Sequence, residues 1–157
     1  EADGSLVEVD GEVVGSELLG QPFVSSQYFH PRPSAAGDGY DAAASSGSNL
    51  GPLSTDLLAT VEQRVADYRS VNGLDDHVAV PVDAVTASAS GLDPHISIAN
   101  ARLQAARVAE VRGLDVDVVL AAVEAATDDP ALGAFGEPAV GVLALNLLLD
   151  DRFGRVD

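Results

Sequence analysis

The chain has no cysteine, no methionine, no tryptophan and no lysine. Without cysteine there is no disulfide, no thiolate metal site and no Cys nucleophile. Without lysine, all eight basic residues are Arg, set against 25 acids for a formal net charge of −17. Such a composition lacks the basic face that phosphate binding needs, which argues against a nucleic-acid partner. It argues equally against docking on an anionic membrane surface. Long hydrophobic runs are missing too. The longest, Val140 to Leu149, is interrupted by Asn146 and falls short of the roughly 20 apolar residues of a bilayer span. With no Met, Glu1 is not expected to be a natural start, and a signal or an anchor upstream is compatible with the composition, which does not choose between them.

What is present fits one domain over residues 1–157, a length that holds a core without staples. Asp outnumbers Glu, hydrophobic residues reach 46%, and aromatics only 4%. Self-repulsion at this charge density destabilises a compact state unless salt screens it. The composition therefore reads as adaptation to high salt, as in a halophilic archaeon. The alternative is an acidic domain from a high-GC genome.

Local patterns predict an α+β fold. Two alternating runs, Leu6–Val9 and Glu12–Val14, flank Asp10-Gly11 and predict a hairpin. A further short element starts at Ser16 and stops at Gly20. Residues 30–53 are rich in Pro, Gly, Ser, Ala and Asp, and a loop this long inside a compact domain is usually functional or disordered. It reads as an ordered recognition loop. Ser54 starts a helix to about Val71, with Leu57, Leu58, Val61, Val65 and Tyr68 on one face. Val78 to Ser88 reads as a strand, with Pro81 marking an edge. Ser97 caps a helix from Ile98 to Arg112, and Asp115 one from Val116 to about Ala126, closed by Asp128-Asp129-Pro130. Val140 to Leu149 reads as a buried strand with a short helical end, helix being the near alternative. The expected architecture is a single compact domain with a hairpin, a long ordered loop and three to four helices.

Chemical motifs are sparse. Ser88, Ser90, Asp93 and His95 carry hydrolase residue types, yet there is no G-x-S-x-G elbow and a triad is a matter of geometry. His30, His77 and His95 lie too far apart in sequence for a zinc pattern. His30 and His95 neighbour prolines and are expected to bond backbone carbonyls, while His77 is expected in solvent. The Asp pairs at 75–76, 128–129 and 150–151 lack a calcium-loop pattern and read as solvated faces. The Gly-rich stretches lack the Lys of a phosphate loop. Helices 98–112 and 116–126 mimic a helix-turn-helix, but the second carries acids and no Arg, so two packed helices are the better reading.

Longer strings carry a family resemblance. Gly15-Ser-Glu-Leu-Leu-Gly-Gln21, Tyr28-Phe-His-Pro-Arg-Pro-Ser34, Ser46-Gly-Ser-Asn-Leu-Gly-Pro52, Val85-Thr-Ala-Ser-Ala-Ser-Gly-Leu-Asp-Pro-His-Ile-Ser97 and Leu143-Ala-Leu-Asn-Leu147 together resemble KdpC, the C subunit of the Kdp potassium-transporting ATPase. The resemblance runs from about Ser5 to Asp151. Two departures are Gln104-Ala-Ala-Arg107, where the family usually has Gln-Val-Pro-Arg, and Gly141, where it usually has Asn. The resemblance implies a single membrane-spanning helix upstream and a domain on the extracellular side. It implies a non-catalytic accessory role in an ATP-driven potassium uptake pump, beside a channel-like subunit and a P-type subunit that forms the phosphoaspartate. It also implies a chaperone-like raising of ATP affinity, with Gln104 tied to nucleotide contact and no tightly bound cofactor.

Within that frame Tyr28, Phe29, His30, Arg32, Ser34, Tyr40, Asn49, Asp93 and His95 are the expected subunit contacts, since aromatic and Arg side chains anchor interfaces. Internal ordering of the loop is the alternative for each. An acidic surface at the potassium entrance would raise the local cation concentration. Two competing readings are a secreted serine hydrolase using Ser88 or Ser90 with Asp93 and His95, and a free-standing acidic binding module.

Overall fold

A computed structural model describes residues 4–128 and 137–156. The chain opens with strands β1 (Leu6–Val9) and β2 (Glu12–Ser16), paired antiparallel. Asp10 and Gly11 join them at φ 55° and 81°, the pair of positive values that an Asp-Gly turn accommodates. The hairpin is the predicted one, extended to Ser16. The element expected after it is a single bridge between Ser16 and Leu19. Residues 20–54 then run without regular structure except for one 3-10 turn at Ala42–Ala44.

Helix α1 (Thr55–Val71) starts at Ser54, whose Oγ accepts from the Leu57 N–H. Its predicted apolar face is not core: no α1 residue is buried, and Leu58 stays 52% exposed. Polar side chains tether the helix instead. Arg64 donates to the Val85 carbonyl at 3.1 Å and Arg69 to the Val78 carbonyl at 2.8 Å.

The strand expected over 78–88 is absent. In its place lies one helical turn, α2 (Val82–Val85), following Pro81. Proline at φ −59° is already set for a helix start and cannot donate to a sheet ladder. Asp83 sits in the first turn, where a carboxylate suits the helix dipole.

Strand β3 (His95–Ser97) leads directly into α3 (Ile98–Arg112). Ser97 Oγ accepts from the Asn100 N–H at 3.1 Å, and Gly113 ends the helix at φ 64°. Helix α4 (Val116–Ala125) is capped by Asp115, as predicted. Strand β4 (Thr127–Asp128) follows, so Asp128 is a strand residue, while the rest of the predicted Asp128-Asp129-Pro130 stop lies outside the described residues. Strand β5 (Ala139–Gly141) runs straight into α5 (Val142–Phe153). The segment read as mainly strand is therefore mainly helix. Val142, Leu143, Leu145, Asn146 and Leu149 are buried while Ala144 and Asp151 are exposed, a helical period that the apolar composition masked.

The second sheet is antiparallel in the order β3-β5-β4, with Ile96 opposite Val140 and Thr127 opposite the same Val140. Helices α3, α4 and α5 pack on one another and on this sheet. Ala101, Ala105 and Ala109 let α3 come close to its neighbours, and Phe29 fills the space between as the large aromatic of the core, with no exposed surface. The α+β expectation holds, and α3 and α4 are the packed pair expected in place of a DNA-reading motif.

Candidate functional site

An irregular segment must find partners for its backbone polar groups outside any ladder. Residues 25–40 find them on α3 and α5. Asn146 accepts from the Phe29 N–H at 2.8 Å and donates to the Phe29 carbonyl at 3.0 Å. Gln104 does the same one residue on, accepting from the His30 N–H at 2.7 Å and donating to the His30 carbonyl at 3.0 Å. Two buried amides thus clasp the N–H and C=O of two successive residues.

Gln104 also donates to Asn100 Oδ1 at 2.9 Å and accepts from Arg107 Nη2 at 2.8 Å. Both amide hydrogens and both lone pairs are committed, and the residue is 1% exposed. Arg107 donates to the carbonyls of Ser26 and Tyr28 and to Asn72 Oδ1. Among the described residues no carboxylate pairs with it. Burial lowers its pKa to about 10, so it remains a cation at neutral pH. Asn100 Oδ1 takes the Tyr68 hydroxyl, and its amide donates to Asp83 Oδ2. Asp83 in turn accepts from the N–H and Oγ of Ser97, both at 2.8 Å, tying α2 to the start of α3.

The front of the segment is held by Arg112, which donates to the Gln27 carbonyl and pairs with Asp150 at 2.7 Å while stacking 5.2 Å from the Tyr28 ring centre. Asp150 also accepts from the Tyr28 hydroxyl and from Arg155. The solvated reading of this aspartate is corrected: its side chain is 11% exposed and joins three partners. Asp75, Asp76, Asp151 and the exposed Asp128 fit the solvated reading.

The rear is held by a second cluster. Arg32 Nη1 pairs with Asp93 Oδ2 at 2.8 Å. Ser34 Oγ donates to the Gly91 carbonyl at 2.7 Å and accepts from the Tyr40 N–H at 2.8 Å. Tyr40 sits at φ 58°, strained for a bulky residue, and its hydroxyl reaches back to the Arg32 carbonyl. Burial pushes that hydroxyl up to about 12. The loop 16–20 closes on this cluster at Gly20, where a Cβ would stand 2.6 Å from the Asp93 carbonyl oxygen and 2.7 Å from the Tyr40 ring.

Of the expected contacts, Arg32, Ser34, Tyr40, Asp93 and His95 are brought together, and Tyr28, Phe29 and His30 form the other half of the same segment. Asn49 stands apart, exposed at φ 53°. Phe29, fully buried, offers a partner no surface; it anchors the loop from within.

The histidines divide. His30 Nε2 lies 3.1 Å from the Ser25 carbonyl, as expected, and burial with nearby Arg107 lowers its pKa. His77 is exposed. His95 departs from expectation: its ring meets carboxylates, with Nδ1 3.6 Å from Asp93 and Nε2 3.4 Å from Asp128. The bond to Asp93 raises His95 against opposing desolvation and, with Arg32, holds Asp93 down at about 2. His95 and Asp128 flank a cleft of about 290 Å³ walled by Val7, Leu143, Leu147 and Glu17.

This geometry overturns the hydrolase reading. Both imidazole nitrogens face carboxylates, and among the described residues no hydrogen bond links Ser88 or Ser90 to His95. Ser90 Oγ instead accepts from the Leu92 N–H at 3.1 Å. Among the described residues His95 is not placed to act as general base for either hydroxyl. The polar residues here order a loop.

Sequence reasoning missed Asn146 and Arg112 and understated Asp150. One signal was available: Asn146 interrupts an otherwise apolar run, and a buried amide must have partners.

Comparison with known proteins decides the family. The model of the KdpC family, K+-transporting ATPase, c chain, matches residues 1–151. The chain belongs to the KdpC family. It is 58% identical over 150 residues to the potassium-transporting ATPase KdpC subunit of Mycobacterium tuberculosis (strain ATCC 25618 / H37Rv), covering 96% of this chain and 79% of that protein. The KdpC subunit of Caulobacter vibrioides (strain NA1000 / CB15N) is 54% identical over 154 residues, covering 98% of this chain and 77% of its own length. That of Kineococcus radiotolerans is 58% identical over 148 residues, covering 94% and 75%. Among the described residues no helix is long and apolar enough to cross a membrane.

Proposed function

We propose that this chain is an accessory, non-catalytic subunit of an ATP-driven potassium uptake pump, and that the 25–40 segment with residues 88–97 forms its docking face. The family match over residues 1–151 supports the place in a potassium-transporting ATPase. Its partners in this reading are a channel-like potassium-binding subunit and the P-type subunit that hydrolyses ATP. An upstream membrane helix anchors it, with this domain on the extracellular side.

The docking assignment is supported by how the segment is built. Its backbone is fixed from beneath by Gln104, Asn146, Arg107 and Arg112, which lowers the entropy lost on binding a partner. Half-exposed His95 and partly exposed Arg32 and Asp93 remain on its outer side. Nucleotide contact through Gln104 would require an amide that is free, and this one is not. Any gain in ATP affinity is therefore assigned to the assembled pump, with Gln104 acting through the loop.

The test is reconstitution. The full subunit is co-expressed with the other pump subunits, purified through one of them, and assayed for potassium-stimulated ATP hydrolysis. Co-purification, with stimulated activity lost when this subunit is omitted, is the expected result. Full stimulated activity without it, or its absence from the purified complex, refutes the proposal.

A further inference from the structure

Helix α1 is anomalous. Helices in proteins are stabilised chiefly by burying an apolar stripe. This one has 17 residues and buries none of them. Arg64, Tyr68 and Arg69 hold it to the domain by hydrogen bonds. Leu58, Val61 and Val65 follow one another at the three- and four-residue spacing of a helix–helix seam, and Leu58 is 52% exposed. Val61, Val65 and Ala66 open with Leu74 onto a shallow groove of about 500 Å³.

Acids outnumber bases along that groove. Glu62 and Asp76 line it with their carboxylates exposed, and Asp75 is exposed beside it. The one base among the described lining residues is Arg69, whose guanidinium is held by the Val78 carbonyl. A second copy of the chain would bring the same acids face to face, with a net charge of −17 on each side. The complement of this surface is an apolar ridge flanked by positive charge.

We propose that the outer face of α1 is a second docking surface, and that its occupant is an amphipathic helix of another pump subunit carrying Lys or Arg beside its apolar stripe. The inference rests on the accessory-subunit reading. It adds a contact whose lining includes none of Arg32, Asp93 and His95.

The experiment uses the full subunit in the assembled pump, with a photo-crosslinking residue at Ala66 or, as a control, at exposed Ala106 on α3. Ala66 is expected to crosslink to another subunit within a segment holding Lys or Arg beside apolar residues, and Ala106 is not. Glu62→Lys with Asp76→Lys should lower the Ala66 yield at least tenfold while the subunit still co-purifies and keeps its circular dichroism spectrum. A complex that contains the subunit but gives no Ala66 crosslink overturns the proposal. So does a crosslink between two copies of this chain, or a yield indifferent to the charge reversal. Failure of the unaltered subunit to co-purify would instead refute the accessory reading beneath it.

Discussion

Replacing Gln104 by Ala removes four hydrogen bonds at once. The groups left without a partner are the His30 N–H and carbonyl and Arg107 Nη2, while Asn100 Oδ1 keeps the Tyr68 hydroxyl. Each buried group left unsatisfied costs about 1–3 kcal/mol. Water entering the vacated amide space can satisfy one of these three, and the remaining pair sets a loss of about 3–4 kcal/mol. A domain of this size loses about 2–4 °C of Tm per kcal/mol, so the drop should be near 10 °C. Chemical denaturation in molar KCl, followed by far-UV circular dichroism, measures it directly. Asn146→Ala removes two of the same kind of bond and should lose about half as much. Glu110→Ala, on the exposed face of α3, should lose almost nothing. A loss under about 1 kcal/mol for Gln104→Ala, with Asn146→Ala at its expected value, would refute the reasoning. It would mean that the Gln104 amide exchanges its partners for water and stands available to a ligand.

The two half-buried histidines give opposite pH dependences. His95 is raised by Asp93, so its contribution is full below the unfolded value near 6.5 and is lost as pH rises through its higher folded value; His95→Gln should flatten the alkaline side of a stability profile. His30 is lowered by burial, so its contribution is present above about 6.5 and lost on acidification through its folded value; His30→Gln should flatten that limb, and an unchanged profile in either variant contradicts the assignment. Gly91→Ala forces a Cβ to 2.7 Å from the Ser46 carbonyl oxygen at φ 69° and should lose at least about 2 kcal/mol, a neutral result by denaturation showing that the rear cluster is loose. Calorimetric titration of the domain with ATP in molar KCl should show no saturable binding, and binding abolished by Gln104→Ala would restore the direct-contact reading. Dialysis below about 0.1 M KCl, where the Debye length exceeds about 10 Å, should unfold the chain; an unchanged circular dichroism signal would remove the high-salt reading of its charge.

Local chemistry was legible where one residue type has one job. Asp10-Gly11, Ser54, Ser97, Asp115 and Gly113 each announce a turn or a helix end, and the structure uses each that way. Illegible segments were those where tertiary context outvoted local pattern. Val80, Val82 and Val85 look like strand residues, yet the three-stranded sheet is filled by β3, β5 and β4, and Pro81 starts a helical turn. The run from Val140 is apolar even at Ala144, Leu147 and Leu148, which α5 leaves exposed or half-buried, so its period could not be read. For the site, the loop and its 88–97 partner segment stood out by composition. Their supports did not, because Arg112, Asn146 and Asp150 lie inside helices where a polar residue is usually taken to face water.

Those hidden supports also explain why the segment is built as it is. An apolar anchor such as Phe29 fixes position but not the course of the backbone. An amide that bonds both N–H and C=O of one residue fixes the course as well, while leaving that residue's side chain free. Asn146 and Gln104 act on adjacent residues, so the chain is extended there without a neighbouring strand. Arg107 then fixes Tyr28 from the same helix, and Arg32 with Asp93 fixes the far end. A path held in this way keeps its shape when the outward side chains meet another protein, which is the property a docking loop needs. The same reasoning sets the role of Gln104: its contribution to any partner passes through the backbone of His30, and substitutions that keep that clasp should keep docking.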